Sequence, residues 1–409
     1  MNRKFILNLL LFGNNSVYFL GGREIKNINI SNDITLIIEC CKTEVKSASL
    51  EEKISSIKDW VEFVNLSYSH GVFPLVFHAL KKFEKIIPKQ IFQQMKTIHM
   101  DIVKQNMLMT SELIKVMKLL DKNNITAIPF KGPVLSQMAY GDITLRQYVD
   151  LDILIERNNN KKVFELLKTL NYKSVLSTKL LDRKVCSEII TDFNLKNTFN
   201  GVELEFHWQL IEKIFKMNLK YSEIVDCTIE VTVNNYKIKT FSLEHQVVYL
   251  AMHGSKHGWE RIEWLVDLYR LIKINKDVID WEKVIKLSFL SKSKKSVLTM
   301  LYLLKKLFGL NIVELDLVNK HINNEIKTLY KLSVDMILNY SQKEDTFIRK
   351  QKLESYRFKI TDGGKFRLLY SLESLLSLSK LDCINNRWFE KSKILLFFSR
   401  FIRLIKGII

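Results

Sequence analysis

Two aspartates sit at i and i+2 inside the β-branched run Val149-Asp150-Leu151-Asp152-Ile153-Leu154-Ile155, and this run limits the fold more than any other stretch. A strand sends residues i and i+2 to the same face. Both carboxylates therefore leave a rigid element at one point of a sheet. Two acids so close repel unless positive charge lies between them. A divalent cation is the usual solution, and hard oxygen donors favour Mg2+ or Mn2+. The run reads as half of the ligand set of a two-metal phosphoryl-transfer site.

A third carboxylate should complete such a set. The run Val202-Glu203-Leu204-Glu205-Phe206-His207-Trp208 alternates apolar and polar residues, as a half-buried strand does. Asn200-Gly201 before it is a two-residue hairpin signal, with Phe193 to Phe199 as the partner strand. Glu203, Glu205 and His207 then share one face. Glu205 is the first candidate and Glu203 the competing one; His207 reads either as a wall of the active site or as a satisfied core histidine. Pairing of this strand beside Val149–Ile155 would bring Glu205 to the two aspartates.

The phosphate side lies upstream. Ile125 to Phe130 reads as a short strand, with Pro129 tolerable near its end or on an edge. Lys131-Gly132-Pro133 follows, then a helical run over Val134–Tyr140. A glycine at a strand-to-helix turn lets backbone N–H groups approach an anion, and proline suits the first helical turn. Lys131 and Arg146 are candidate contacts to a triphosphate. The blander reading of Arg146 is an ion pair with Asp142 or Asp150.

These segments resemble the uncharacterised nucleotidyltransferase family of bacteria, within the polymerase-beta-like nucleotidyltransferase superfamily. The resemblance rests on FKGPVLSQMAYGDITLRQYVDLDILI, on VELEFHWQL and on LEHQVVYLAMHGSKHGWERIEWLVDLYRLI, and touches DWVEFVNLSYSHGVFPLVFHAL. Lys131-Gly132 stands where the superfamily carries Gly-Ser. Asp150 and Asp152 match its paired aspartates, and Glu205 stands where relatives tend to carry Asp. The resemblance implies an α+β protein: a small mixed-sheet nucleotidyltransferase core flanked by helical regions. It also implies metal-dependent transfer of a nucleoside monophosphate from a nucleoside triphosphate such as ATP. Asp150, Asp152 and Glu205 would be both catalytic residues and metal ligands. The acceptor stays open: a hydroxyl or phosphate on a small molecule, a glycan, a protein or a nucleic-acid end. A polysaccharide or natural-product route fits such relatives.

In the same family a His-rich helix recurs, here His253 and His257 at i, i+4 with Trp259, Trp264 and Asp267 downstream. It is expected to pack on the catalytic sheet, with His253 and His257 candidate contacts to nucleotide or acceptor. No Glu follows His253, so the pair lacks the zinc-protease pattern. Gly254 and Gly258 should weaken a continuous helix.

Composition sets the outer bounds. The 409 residues include only 13 Gly and 4 Pro, and 47% are apolar, so helices and a substantial core are expected. The organisation reads as a mainly helical region over 1–123, an α/β catalytic core over 124–241 and a second helical region over 242–409. Breaks fall near Gly71 and Pro88; Trp60, Phe63, Val64 and Tyr68 form a core stripe, Ser242 a helix start and Gly309 a helix stop.

A net charge of +19 favours anionic partners: nucleotides, nucleic acid, phosphorylated glycans or an acidic membrane surface. No nucleic-acid motif stands out, so nucleic acid is not favoured. The alternative reading is a nucleic-acid-binding or regulatory interaction module on a vestigial nucleotidyltransferase fold. Five cysteines, an odd number with Cys40-Cys41 adjacent, do not make a disulfide framework, and a reducing cytoplasm fits. The start over 1–12 mimics a signal peptide, yet Asn8 interrupts its apolar run and no cleavage site follows. The basic, apolar tail over 385–409 is expected either to pack on the core or to lie at the inner membrane surface.

Overall fold

The computed structural model describes residues 30–44, 47–174, 190–311, 321–340, 346–361 and Arg367. The tail over 385–409, the start over 1–12, Cys186 and Cys383 lie outside the described residues. Among the described residues, five α-helices come first: α1 (Asn32–Cys41), α2 (Ser47–Ser55), α3 (Trp60–Ser69), α4 (Phe73–Leu80) and α5 (Lys89–Lys122). The α/β part follows: β1 (Ala127–Pro129), α6 (Gly132–Tyr140), β2 (Asp150–Ile155), α7 (Asn160–Lys168), β3 (Tyr172–Ser174), β4 (Asp192–Asn197) and β5 (Glu203–His207). Then come α8 (Tyr221–Val225), β6 (Ile229–Val233) and β7 (Tyr236–Thr240). The C-terminal helices are α9 (Leu243–Lys256), α10 (Ile262–Ile274), α11 (Trp281–Leu290), α12 (Lys294–Leu303), α13 (Asn324–Leu338) and α14 (Thr346–Ile360). The chain is an α+β protein with a small mixed sheet between helical flanks.

The main sheet runs β1-β2-β5-β4-β3, and β6 with β7 forms a separate two-stranded sheet. Pro129 ends the edge strand β1, where its missing N–H costs least. Only the β2–β5 pair is parallel among the described strands of this sheet. Parallel strands need a long crossover, and α7, β3 and β4 lie between the two in the chain.

Side-chain alternation divides this sheet into two unlike faces. Leu151, Ile153, Leu204 and Phe206 point into one buried cluster with Leu113 and Leu120 of α5 and Val163 and Leu167 of α7. Asp150, Asp152, Glu205 and His207 take the other face. There a second cluster begins, and it joins the two helical flanks: Phe63, Phe73 and Leu80 share it with Leu250, Leu265 and Leu301.

Local signals act as the chemistry requires. The Asp59, Ser242, Asp280 and Asn323 side chains cap α3, α9, α11 and α13. Gly309 ends its helical segment at φ 68°. Three details differ from expectation. Tyr68 leaves the α3 core stripe and is 48% exposed, while Phe63 and Val64 are buried. The β4–β5 hairpin turns over residues 198–201 rather than at Asn-Gly alone: Asn197 N–H donates to Val202 O at 2.9 Å, and the Asn197 side chain accepts from Phe199 N–H at 2.9 Å. Phe199 therefore sits at the loop tip, not in a strand.

The third detail concerns α9, which runs unbroken through Gly254. Gly258 and Trp259 both adopt φ 63°, turning the chain back so that Trp259 N–H donates to Gly254 O at 2.9 Å. The indole then fills the space beside the glycine, and a Cβ there would lie 2.2 Å from the ring. Trp259 is fully buried and donates to Tyr356 Oη at 3.1 Å, which ties α9 to α14. Gly254→Ala should lower stability by about 1–3 kcal/mol through overpacking. A chemical-denaturation midpoint checks this; an unchanged midpoint would contradict the packing.

Candidate functional site

The parallel register sets Asp150 against Glu203, Asp152 against Glu205 and Leu154 against His207. Since alternate residues face the same way, Asp150, Asp152, Glu205 and His207 converge on one face. Of the two glutamates, Glu205 enters the cluster; Glu203 bonds Lys196 at 2.7 Å on the exposed end of the hairpin. Asp152, Glu205 and His207 each present a ligand atom, all within 4.8 Å of one another.

Asp152 is the centre of this arrangement and is only 3% exposed. Its Oδ1 lies 3.4 Å from Lys131 Nζ and 3.1 Å from His207 Nε2. Burial pushes its carboxyl up, but Lys131 and His207 outweigh burial and hold it well below the usual carboxylate range. Its other oxygen, Oδ2, is buried without a hydrogen-bond partner among the described residues. A buried anionic oxygen left unpaired costs several kcal/mol unless a cation completes it.

Glu205 has the opposite balance. Burial first, then a hydrogen bond with Asp192 and the charges of Asp152, Asp192 and Asp150, pushes its carboxyl up to about 9. Asp150 is also raised, by burial and by Asp152, against the lowering effect of Lys131. The site thus holds more negative charge than Lys131 balances, and it responds by keeping a proton. This donor set fits a divalent cation: an orphaned carboxylate oxygen, a protonated acid beside it, and oxygen and imidazole donors at ligand spacing.

Lys131 is held from several sides. Phe130 N–H donates to Asp152 O at 3.2 Å, Gln246 Nε2 to Phe130 O at 3.0 Å and Thr240 Oγ1 to Pro129 O at 2.7 Å. The ammonium lies 5.7 Å from the Tyr249 ring centroid, and the charges of Asp152, Tyr249 and Asp150 raise its pKa against burial. Gly132 opens α6 at φ 56°, and a Cβ there would lie 3.2 Å from the Leu151 side chain. The turn therefore approaches β2 as closely as its side chains permit. The first N–H groups of α6 have no intrahelical acceptor, as at any helix start.

Arg146 takes a different position from the expected phosphate contact. Its Nε and Nη2 donate to the two oxygens of Asp267 at 2.9 and 3.0 Å, and Tyr140 Oη donates to Asp267 Oδ1 at 2.6 Å. Asp142 and Asp150 are not its partners; Asp142 accepts from Thr144 N–H instead. The Arg146 carbonyl accepts from Asn106 Nδ2 at 2.8 Å. The chain segment leading into β2 is thereby pinned to α10 on one side and α5 on the other.

His253 and His257 lie in one wall, with ring centroids 4.9 Å apart and the Trp264 ring 5.6 and 5.0 Å away. His253 is pushed well down by burial and by Lys131; His257 is lowered to about 3 by burial and by Lys256 and Arg357. Both are neutral imidazoles. They are not brought into a metal-ligand group among the described residues.

Asp192 escaped sequence reading. It opens β4 in register with His207, and so lies on the acid face from the neighbouring strand. The signal was present in the alternation Asp192-Phe193-Asn194-Leu195, which puts Asp192 and Glu205 on one face once β4 pairs with β5.

Comparison with known proteins bears on the family of the chain. A family model described as "Uncharacterised nucleotidyltransferase" matches residues 56–309, more than half of the chain. Among solved structures, the chain is similar to an antigenic nucleotidyltransferase-like protein from Paracoccidioides brasiliensis, at 17% identity over 47% of this chain and 91% of that one, with a TM-score of 0.28. No curated protein matches the chain.

Two outcomes follow from the electrostatics. Asp267→Ala strands the buried Arg146 guanidinium and should cost about 3–5 kcal/mol in an unfolding measurement; a loss below 1 kcal/mol would mean that the pair is solvated. The second concerns pH. Glu205 holds its proton to about 9 in the folded chain against 4.5 as the ordinary value. Between those limits the folded state binds more protons than the unfolded state, so metal-free stability should fall as pH rises. Glu205→Gln should flatten that part of the curve, read from thermal melts in chelator across pH. An identical slope in the variant would refute the assignment.

Proposed function

This chain belongs to the uncharacterised nucleotidyltransferase family, and from that premise we propose that it moves a nucleoside monophosphate from a nucleoside triphosphate to a hydroxyl or phosphate acceptor. The observation that carries the reading is the β2–β5 pairing, which brings Glu205 opposite Asp152 with Lys131 across the gap. In the balanced step, an acceptor oxygen bonds to the α-phosphorus as the bond to pyrophosphate breaks, and the acceptor proton passes to solvent or a carboxylate. Asp150, Asp152 and Glu205 would hold divalent cations, Mg2+ or Mn2+, whose charge would offset the triphosphate and lower the pKa of the acceptor hydroxyl.

The remaining roles belong to side chains of the protein. Lys131 exchanges its contact with Asp152 for a phosphate oxygen, at the start of α6, where backbone N–H groups favour anions. Tyr249, His253 and His257 form a wall beside it. Being uncharged, the imidazoles accept or donate a hydrogen bond without repelling a cation. Arg146 acts by position: pairing with Asp267 fixes the approach to β2. Most of the rate enhancement then comes from orientation and fixed charge.

Asp150→Asn should reduce transfer by at least ~100-fold while leaving the fold intact. The assay incubates protein, a divalent cation and each labelled triphosphate with a cell extract, and follows which molecule gains label. Full transfer by the variant would reject the site; the labelled product would also identify the acceptor class.

A further inference from the structure

The geometry points to His207 as a metal ligand, which makes the cluster of Asp152, Glu205 and His207 a mixed nitrogen and oxygen site that prefers a first-row transition ion such as Mn2+ over Mg2+. The inference rests on the nucleotidyltransferase reading and refines it, since an acid-only set would carry no such preference.

Three observations support it. His207 Nε2 lies 3.1 Å from Asp152 Oδ1 and 3.8 Å from Glu205 Oε2. Ligand bonds of about 2.1 Å place neighbouring donors about 3.0 Å apart and opposite donors about 4.2 Å apart. Both observed separations lie between those limits, as donors around one ion do. Second, Asp152 Oδ2 is buried and has no hydrogen-bond partner among the described residues, leaving one donor of the set unused there. Third, the imidazole is fixed in advance: β5 is bonded on both sides, by β2 and β4, and the ring meets Phe130 edge-on with centroids 5.4 Å apart.

The chemistry of the donors sets the preference. Imidazole nitrogen suits transition ions, whereas Mg2+ favours oxygen and keeps its waters. Asp150 lies outside this three-residue group. It is left for an ion shared with the triphosphate, where all-oxygen coordination serves. The two ion positions would then differ in kind, and the histidine would mark the one beside Glu205.

Pulsed electron paramagnetic resonance of the metal-free full chain loaded with Mn2+ tests this. A directly bound imidazole nitrogen should appear, and its pattern should change when the protein carries heavy-nitrogen histidine. The coupling should persist in His253→Ala and vanish in His207→Gln, and the Mn2+ over Mg2+ preference in competition dialysis should fall at least ~10-fold in the latter. The isotope arm needs no variant and so does not depend on His207→Gln folding. Mn2+ binding that Asp152→Asn removes, but without nitrogen coupling, overturns the inference and leaves the carboxylate site standing. Coupling that survives His207→Gln also overturns it. Absence of any Asp152-dependent Mn2+ binding sinks both this inference and the nucleotidyltransferase site beneath it.

Discussion

Asp152 and Glu205 face each other across a parallel pair of central strands, and much of the structure answers the electrostatic problem this creates. A buried and a half-buried acid on neighbouring strands repel, with Asp150 and Asp192 adding to the charge. Lys131 and His207 draw the negative charge onto Asp152, and Glu205 stays protonated. The site is therefore a compromise, with a full charge on one acid, a proton on another and one buried oxygen without a partner among the described residues.

The flanking helices serve the same centre. The helix α9 carries Gln246, which holds the Phe130 carbonyl beneath Lys131, and Tyr249, which lies beside the ammonium. On α10, Asp267 takes the guanidinium of Arg146 just ahead of β2. Asn106 of α5 reaches the same stretch from the opposite side, binding the carbonyls of Ile143 and Arg146. Helices before and after the sheet share one buried cluster, so strain at the acid strand is resisted from both directions. The aromatic stack of Phe130 on Phe241, 4.9 Å between centroids, continues that support under His207.

Much of this was legible in the residues. Asp150 and Asp152 share a face because a strand has period two, and Glu205 with His207 follow the same rule. Gly132-Pro133 marks the start of α6, Ser242 the start of α9, and Gly309 a stop. Arg146 shows where such reading ends. Its partner Asp267 is 121 residues away, and nothing local separates a phosphate contact from a buried pair. Asp192 was hidden for a related reason: an isolated acid at a strand end gains meaning only beside Glu205. Gly254 looked like a helix breaker because propensity weighs the backbone alone, while Trp259 fills the gap that the glycine leaves.

Sequence alone determined which side chains share a face, where helices begin and end, and that acids converge on a strand. These depend on backbone geometry and on the next few residues. Only the tertiary structure decided that the Asp strand and the Glu strand are parallel neighbours in the register that sets Asp152 against Glu205. It also decided that Glu203 turns to Lys196 and that Arg146 belongs to Asp267. Periodicity fixes the direction in which a side chain leaves the backbone; the neighbour it meets depends on how distant segments pack.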